Sequence, residues 1–338
     1  MEKRNLLGQT LAELQTMCLA EGFPKFTAKQ ICDWLYKKRV ESIDSMTNLS
    51  LAQRARLNEI AYIGRETPVR CQVSKDGTKK YLFPVLDNHY IEAVYIPEED
   101  RATLCVSCQV GCKMGCRFCV TGQQGFHGSL GAGDILNQLF SIPEYENLTN
   151  VVFMGMGEPM DNLDAVLAAT QVMTADWGLA WSPKRITVST VGIIPGMKRF
   201  LDESQCHLAV SLHNPVPQER LQMMPVQKAF PLNQVLALLR EYDWSGQRRL
   251  SFEYTMFRGE NDDLAHAQKL AEALKGLTCR VNLIRFHESS EAPYKTSLPT
   301  VIKDFQEYLN RHGVICTLRA SRGQDIDAAC GLLAGKNV

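Results

Sequence analysis

Two hydrophobic periodicities divide this chain. Between residues 67 and 97, Val69, Cys71 and Val73 alternate with polar neighbours up to a turn at Ser74-Lys75-Asp76-Gly77. Tyr81 and Phe83 continue the alternation to a second turn at Asp87-Asn88, and Ile91, Ala93 and Tyr95 complete it. Runs of period two separated by turn residues predict a β-meander. From residue 103 onward strands alternate with helices. Apolar runs predict strands at 150–155, 185–190, 206–212, 249–256, 279–285 and 314–319, and helical periodicity predicts helices at 133–143, 162–174, 232–242, 262–275 and 300–312. In the last helix Ile302, Phe305 and Leu309 share one face. Alternating β and α units imply a parallel sheet, either doubly wound or part of a barrel. Residues 1–65 predict a small helical module, because Thr10-x-x-Glu13, Thr27-x-x-Gln30 and Ser50-x-x-Gln53 each fit a capping box.

Length and composition narrow the class. The 338 residues suffice for one large α/β domain with a small appendage. No run approaches the roughly 18 apolar residues of a membrane span, and the start, MEKRNLLGQTLAELQ, lacks a signal-peptide core. A cytoplasmic location is therefore expected. Thiols stay reduced there, so the 12 cysteines need an explanation other than disulfides. The 37 basic and 37 acidic side chains balance, which gives no bulk electrostatic sign of a nucleic-acid partner. Locally, Lys37-Lys38-Arg39 points to a positive face on residues 1–65, and Lys184-Arg185 and Arg248-Arg249 are candidate phosphate contacts, each weighed against a merely solvated surface.

The cysteines change the picture most. Cys105, Cys108, Cys112, Cys116 and Cys119 crowd into the stretch CVSCQVGCKMGCRFC, whereas Cys18, Cys206, Cys279 and Cys316 sit among apolar neighbours and read as small buried hydrophobes. A structural zinc site wants four ligands, commonly as two pairs. Here three thiols are spaced Cys112-x3-Cys116-x2-Cys119 with no second pair downstream. Three thiolates can hold three irons of a four-iron cluster and leave the fourth open to a ligand, and an open site implies chemistry. Gly111 and Gly115 would let the loop wrap a bulky group. After the strand at 150, Gly155-Met156-Gly157-Glu158 places two glycines and a carboxylate where parallel α/β folds gather their active sites.

CxxxCxxC is the signature of radical S-adenosylmethionine (SAM) enzymes, and the match extends further. RATLCVSCQVGCKMGCRFCVTGQQGF, VVFMGMGEPMDNL, RITVSTVGIIP, AVSLHNP and DIDAACG together resemble the bacterial radical SAM RNA adenine C2-methyltransferases, from about residue 5 to residue 336. The resemblance implies an incomplete (β/α)6 radical SAM barrel over residues 101–338. A β-meander extension over 66–100 and an N-terminal helical module over 1–65 that assists RNA binding would precede it. It implies a [4Fe-4S] cluster on Cys112, Cys116 and Cys119. SAM would be contacted by Gly157, Glu158, Ser189, Ser211, Leu212 and His213. Where the family carries Asn-Pro, this chain has Phe286-His287-Glu288, so His287 stands at the position of a SAM contact.

By the same resemblance Cys330 is the methyl-carrying cysteine and Cys105 its partner. One SAM would methylate Cys330. A second, cleaved reductively at the cluster, would yield a radical that takes a hydrogen from the S-methyl group. The resulting methylene radical would add to the adenine, and Cys105 would remove the ring proton and resolve the adduct, leaving a reducible Cys105–Cys330 disulfide. Glu92 matches a glutamate that faces the adenine and is sometimes assigned the role of base. Cys108 has no counterpart and reads as incidental. The implied substrates are an adenosine of 23S rRNA at the peptidyl-transferase centre and one of tRNA beside the anticodon. Each would have to be extruded into a pocket. A flavodoxin-type electron donor and a monomeric state also follow from the resemblance. The nearest rival is the C8-methylating branch that confers antibiotic resistance, although Ser321-Arg322-Gly323-Gln324-Asp325 is closer to the C2 branch. A zinc-stabilised, non-catalytic RNA-binding module is the alternative from another class.

Overall fold

The computed structural model describes residues 3–86, 88–288 and 292–335. Ten strands form one sheet. They are β1 (Arg70–Val73), β2 (Lys79–Val85), β3 (His89–Pro97), β4 (Ala102–Cys105), β5 (Asn150–Phe153), β6 (Ile186–Thr190), β7 (His207–Ser211), β8 (Leu250–Met256), β9 (Arg280–Arg285) and β10 (Ile315–Leu318). Spatial order follows chain order from β1 to β10. The meander β1–β3 is antiparallel and joins β4 antiparallel, whereas β4 to β10 run parallel. Six βα units followed by β10 make an open barrel, because β1 and β10 remain separate edges. The predicted parallel strands and their helices lie within a few residues of their expected bounds. The helix expected over 133–143 runs Ala132–Phe140 and stops ahead of Pro143. Of the expected Asp87-Asn88 turn, Asp87 lies outside the described residues.

Several elements were not in the sequence reading, among them β4, a short ladder and a helix. β4 is only four residues long, all buried, and carries too little pattern to show a period. Gln109–Gly111 pairs with Phe126–Ser129 in a two-stranded ladder that brackets the cysteine loop. The helix Ile194–Glu203 carries Pro195 in its first turn, where the missing N–H has no helical partner to lose.

The N-terminal module is helical, with capping boxes closed at Thr10–Glu13 and Ser50–Gln53. The expected box at Thr27–Gln30 does not form. Phe26 precedes that helix without a side-chain bond, and the Thr27 hydroxyl instead accepts from Gln53 Nε2 at 3.3 Å. The module packs directly on the barrel: a Cβ on Gly8 would lie 2.2 Å from the Gly133 nitrogen, and Arg65 Nη2 donates to the Phe140 carbonyl at 2.6 Å. Its basic triplet is partly used within the fold. Lys38 pairs with Asp33 and lies over Trp34, while Arg39 pairs with Glu146 and lies over Tyr145.

Candidate active site

The cysteine loop sits at the carboxyl ends of the parallel strands. Gly111 and Gly115 both hold positive φ, +72° and +61°, and a Cβ on Gly111 would lie 1.9 Å from the Gly125 carbonyl oxygen. Only glycine permits that approach at that dihedral. The loop is tied by Cys112 N–H to Gly125 O (2.8 Å) and Arg117 N–H to Met223 O (3.0 Å). Cys112, Cys116 and Cys119 line one wall of an open cavity of about 1060 Å³, the solvent at its mouth included. Beneath Cys116 lies Arg220, a fully buried guanidinium. It donates to the carbonyls of Leu212, Val191 and Ser211 and to Gln227 Oε1, with no carboxylate partner among the described residues.

These features fit an iron–sulfur cluster. Among the described residues no three His, Cys, Asp or Glu side chains converge on a single ion, whereas cluster thiolates bind separate irons. Burial raises all three thiols, Cys112 to about 12. They therefore become thiolates only with positive charge beside them. Arg220 supplies part of that charge at Cys116, and irons would supply the rest.

Opposite the loop, Gly155, Gly157, Glu158, Ser189, Ser211 and His213 line the same cavity. The glycines serve the protein's own packing as much as any ligand. A Cβ on Gly155 would lie 2.7 Å from the Val106 oxygen, and one on Gly157 (φ +101°) 2.6 Å from Gln109 Cβ. Glu158 is buried. Its Oε1 accepts from the Thr190 hydroxyl (2.6 Å) and Met160 N–H (3.0 Å), and Oε2 from Val191 N–H (2.9 Å). Burial outweighs these bonds and lifts its carboxyl from 4.5 to about 7, a buried acid suited to an incoming ammonium group. His213 accepts from Thr255 N–H on Nδ1 at 2.9 Å. Burial, then Arg220, lowers it to about 3, so it stays neutral with Nε2–H as its donor. These groups match what SAM presents, namely an ammonium, a carboxylate and a ribose.

Not every expected SAM contact reaches this cavity. Leu212 is fully buried behind it, its N–H bonded to Glu253 O (3.0 Å). His287 lines a second cavity of about 1000 Å³, and its Nε2 lies 2.9 Å from Ser321 Oγ. Cys105 and Arg319 also line the second cavity, and Cys330 lines both. Cys330 is exposed, though the cavity walls desolvate its thiol and raise it, with Arg319 pulling the other way. Cys105 is buried, and burial, then Cys330, pushes it up to about 12 against the same Arg319.

The Cys330 segment is held from behind by the meander. Asp325 accepts from Ser74 Oγ (2.5 Å) and Lys75 N–H (3.2 Å), and Asp76 accepts from Gly323 N–H (2.9 Å). Val120 N–H donates to Gly331 O (2.8 Å) and Thr121 Oγ1 to Leu333 O (2.7 Å). Glu92 belongs to this clamp. Its Oε2 accepts from Ala334 N–H at 2.8 Å and its Oε1 lies 3.1 Å from Lys80 Nζ, while Glu92 lines neither cavity. Cys108 is buried, its N–H on Met156 O and its carbonyl accepting from Leu130 N–H and Asn162 Nδ2. Sequence reasoning missed Arg319 and Arg220. Arg319 follows β10 directly, and that position at a strand's carboxyl end was the available signal.

Comparison with known proteins agrees with this architecture. Residues 4–63 match the ribosomal RNA large subunit methyltransferase N-terminal domain, and residues 106–271 match the radical SAM superfamily. A probable dual-specificity RNA methyltransferase RlmN of Parabacteroides distasonis is 55% identical, over 100% of this chain and 99% of the relative. A dual-specificity RNA methyltransferase RlmN of Syntrophus aciditrophicus is 43% identical, over 99% and 98%. The crystal structure of a radical SAM methyltransferase from Sphaerobacter thermophilus superposes with a TM-score of 0.91 at 39% identity, covering 98% of this chain and 100% of that one. With identity of this extent over the whole length, on a cavity whose three thiols and buried acid suit a cluster and SAM, this chain belongs to the RlmN family of radical SAM methyltransferases.

Proposed function

We infer that this protein methylates C2 of adenosine in 23S rRNA and in tRNA, using a [4Fe-4S] cluster and SAM. The observation that carries the mechanism is the position of Cys330, whose side chain lines both cavities. A thiol so placed can take a one-carbon unit on the SAM side and present it on the side of Cys105. We assign Cys112, Cys116 and Cys119 to the cluster, which when bound supplies the electron for cleaving SAM. Glu158, Ser189, Ser211 and His213 orient SAM from the opposite wall, with Gly157 shaping the backbone there.

Arg319 stands beside both redox thiols and favours their thiolate forms. Cys105, buried at the second cavity, is shielded from bulk water until substrate arrives. There, as a thiolate, it takes the ring proton of the adduct, whose unpaired electron would pass to the cluster. It gives the proton up again as its sulfur attacks Cys330 Sγ; the Cys330 S–C bond breaks with the departing carbon protonated to a methyl group, and the disulfide forms. Two electrons and two protons from a reductant reset the pair. Glu92 positions Cys330 by holding the Ala334 amide, which accounts for a glutamate at that place without a role as base. We place His287 at the rim of the substrate cavity. The module over residues 1–65 and the meander over 66–100 act as RNA-binding accessory and clamp for the catalytic barrel over 101–338. A flavodoxin-type donor, a monomeric state and a cytoplasmic location complete the reading; among the described residues no helix is long and apolar enough to cross a membrane.

The test is product analysis. The cluster-loaded enzyme is incubated with a 23S rRNA fragment or tRNA, SAM and a reductant, and the RNA is digested to nucleosides for mass spectrometry. The expected product is 2-methyladenosine; 8-methyladenosine alone would transfer the chain to the C8 branch. Iron and sulfide analysis separates the enzyme from a zinc module, which would hold zinc and no sulfide.

A further inference from the structure

We propose that Lys184, Arg249 and Arg280, at the amino-terminal mouth of the open barrel, bind the phosphodiester backbone of the RNA substrate strand. This deepens the reading above and rests on it. The candidate pairs Lys184-Arg185 and Arg248-Arg249 each split in the fold. Arg185 donates to the carbonyls of Thr149 (2.5 Å) and Leu148 (2.6 Å) and lies over Trp181. Arg248 donates to the carbonyls of Leu201 (2.6 Å) and Ser204 (2.9 Å) and lies over Trp244. Both are structural. Their neighbours Lys184 and Arg249 are exposed and line a third cavity of about 990 Å³ with Arg280, also exposed. None of these three has an ion-pair partner among the described residues.

Charge in this cavity is one-sided. Of its lining residues only Glu253 is acidic, and that carboxylate is already engaged by Ser251, Asn282 and Arg319. Arg101 also lines it but is paired with Glu98. The cations feel one another: burial, then Arg249 and Lys184, lowers His207 to about 4, and burial, then Arg280, lowers Arg249. Three cations without ion-pair partners gathered on one cavity are stabilised by an anion.

The location says which anion. The third cavity shares Arg101, Thr103, Val152, Met154 and Arg319 with the cavity of Cys105 and Cys330. Inward-facing positions on the sheet form its walls, and they are polar where a closed barrel would be filled by apolar layers. Arg280 opens β9 and Ile284, at the second cavity, lies four residues along it. At about 3.3 Å per residue the Arg280 backbone stands ~13 Å from that of Ile284. A strand whose target base enters the second cavity therefore brings a neighbouring phosphate within reach of the cations.

The experiment uses the full chain with its cluster loaded anaerobically and an RNA stem-loop carrying the target adenosine. Binding is followed by fluorescence anisotropy between about 50 and 200 mM salt for wild type and for K184Q/R249Q/R280Q. Each lost phosphate contact flattens the slope of log K against log salt by about 0.7 for single strands, so the triple variant should be shallower by about 2, with affinity down at least tenfold at the lowest salt. The loss should be equal for loops of different sequence, since phosphates carry no base information. SAM-cleavage activity without RNA should be retained, showing an intact fold. An unchanged slope in a variant that keeps SAM cleavage overturns the site. So does a loss confined to one loop sequence. If wild type methylates no RNA, the functional reading has failed instead.

Discussion

Glu158 offers a quantitative test of how the SAM cavity works. Its folded carboxyl titrates near 7 against an ordinary 4.5, chiefly because burial disfavours the charged form. Between those two values the folded chain holds a proton that the unfolded chain has lost. The neutral carboxyl is therefore fully compatible with folding below about 4.5, and stability falls as pH rises through about 7. Each pH unit of that interval is worth about 1.4 kcal/mol, so from pH 5 to pH 8 ionised Glu158 withdraws about 3 kcal/mol from the ligand-free protein. Glu158→Gln removes the titration. Its amide oxygen still accepts from Thr190 and Met160, while its NH2 faces the Val191 N–H that now bonds Oε2, which costs about 1–3 kcal/mol. Urea unfolding of both reduced, cluster-free proteins across this pH range measures the difference, in which titrations common to both cancel. The variant should gain about 3 kcal/mol relative to wild type as pH rises, while its SAM affinity drops at least ~10-fold from loss of the ammonium's partner. Parallel pH profiles for the two proteins would refute the burial argument, and unchanged SAM binding would remove Glu158 from the site.

The remaining predictions concern the cysteines, the loop and the buried cation. Cys330→Ala should still cleave SAM, seen as 5′-deoxyadenosine, but transfer no methyl group to RNA; methylated RNA from this variant would exclude a carrier at Cys330. Cys105→Ala should accumulate a covalent protein–RNA species on a denaturing gel, and released, fully methylated product would remove the resolving role. Gly111→Ala forces a Cβ to 1.9 Å from the Gly125 oxygen at φ +72°; the loop must shift, and iron per chain after reconstitution should fall several-fold. Arg220→Met removes one donor from each of four acceptors, of which Leu212 O and Gln227 Oε1 keep the Asn214 and Leu232 N–H groups, and should lower unfolding stability by about 1–3 kcal/mol in urea titrations.

The long apolar runs could be read without coordinates because a strand buried between helices needs continuous hydrophobicity and an amphipathic helix needs its stripe. β4 escaped because four residues are too short to show a period, although it carries Cys105. The Thr27 box failed because the pattern S/T-x-x-Q is necessary but not sufficient, and tertiary contact with Gln53 claimed the Thr27 hydroxyl. Glu92 illustrates the limit for chemistry. An alternating strand shows which face a residue takes, but not that the C-terminal chain returns across that face to present the Ala334 amide.

The sequence alone supplied the candidate reactive residues: CxxxCxxC and a Gly-x-Gly-Glu turn after a strand are local patterns, and the late cysteine before glycine entered through the family resemblance. It also determined the order of βα units, because periodicity is a local property of the chain. What only the tertiary structure decided is which side chains share a space: that Cys330 lines two cavities, that Arg319 lines one of them with Cys105 and Cys330, and that Lys184 and Arg249 line one cavity while Arg185 and Arg248 turn inward to carbonyls. Adjacent residues in a chain are equivalent as charges. Packing assigns one to the interior and the other to a ligand, because an interior carbonyl left without a donor must be satisfied by whichever neighbour can reach it.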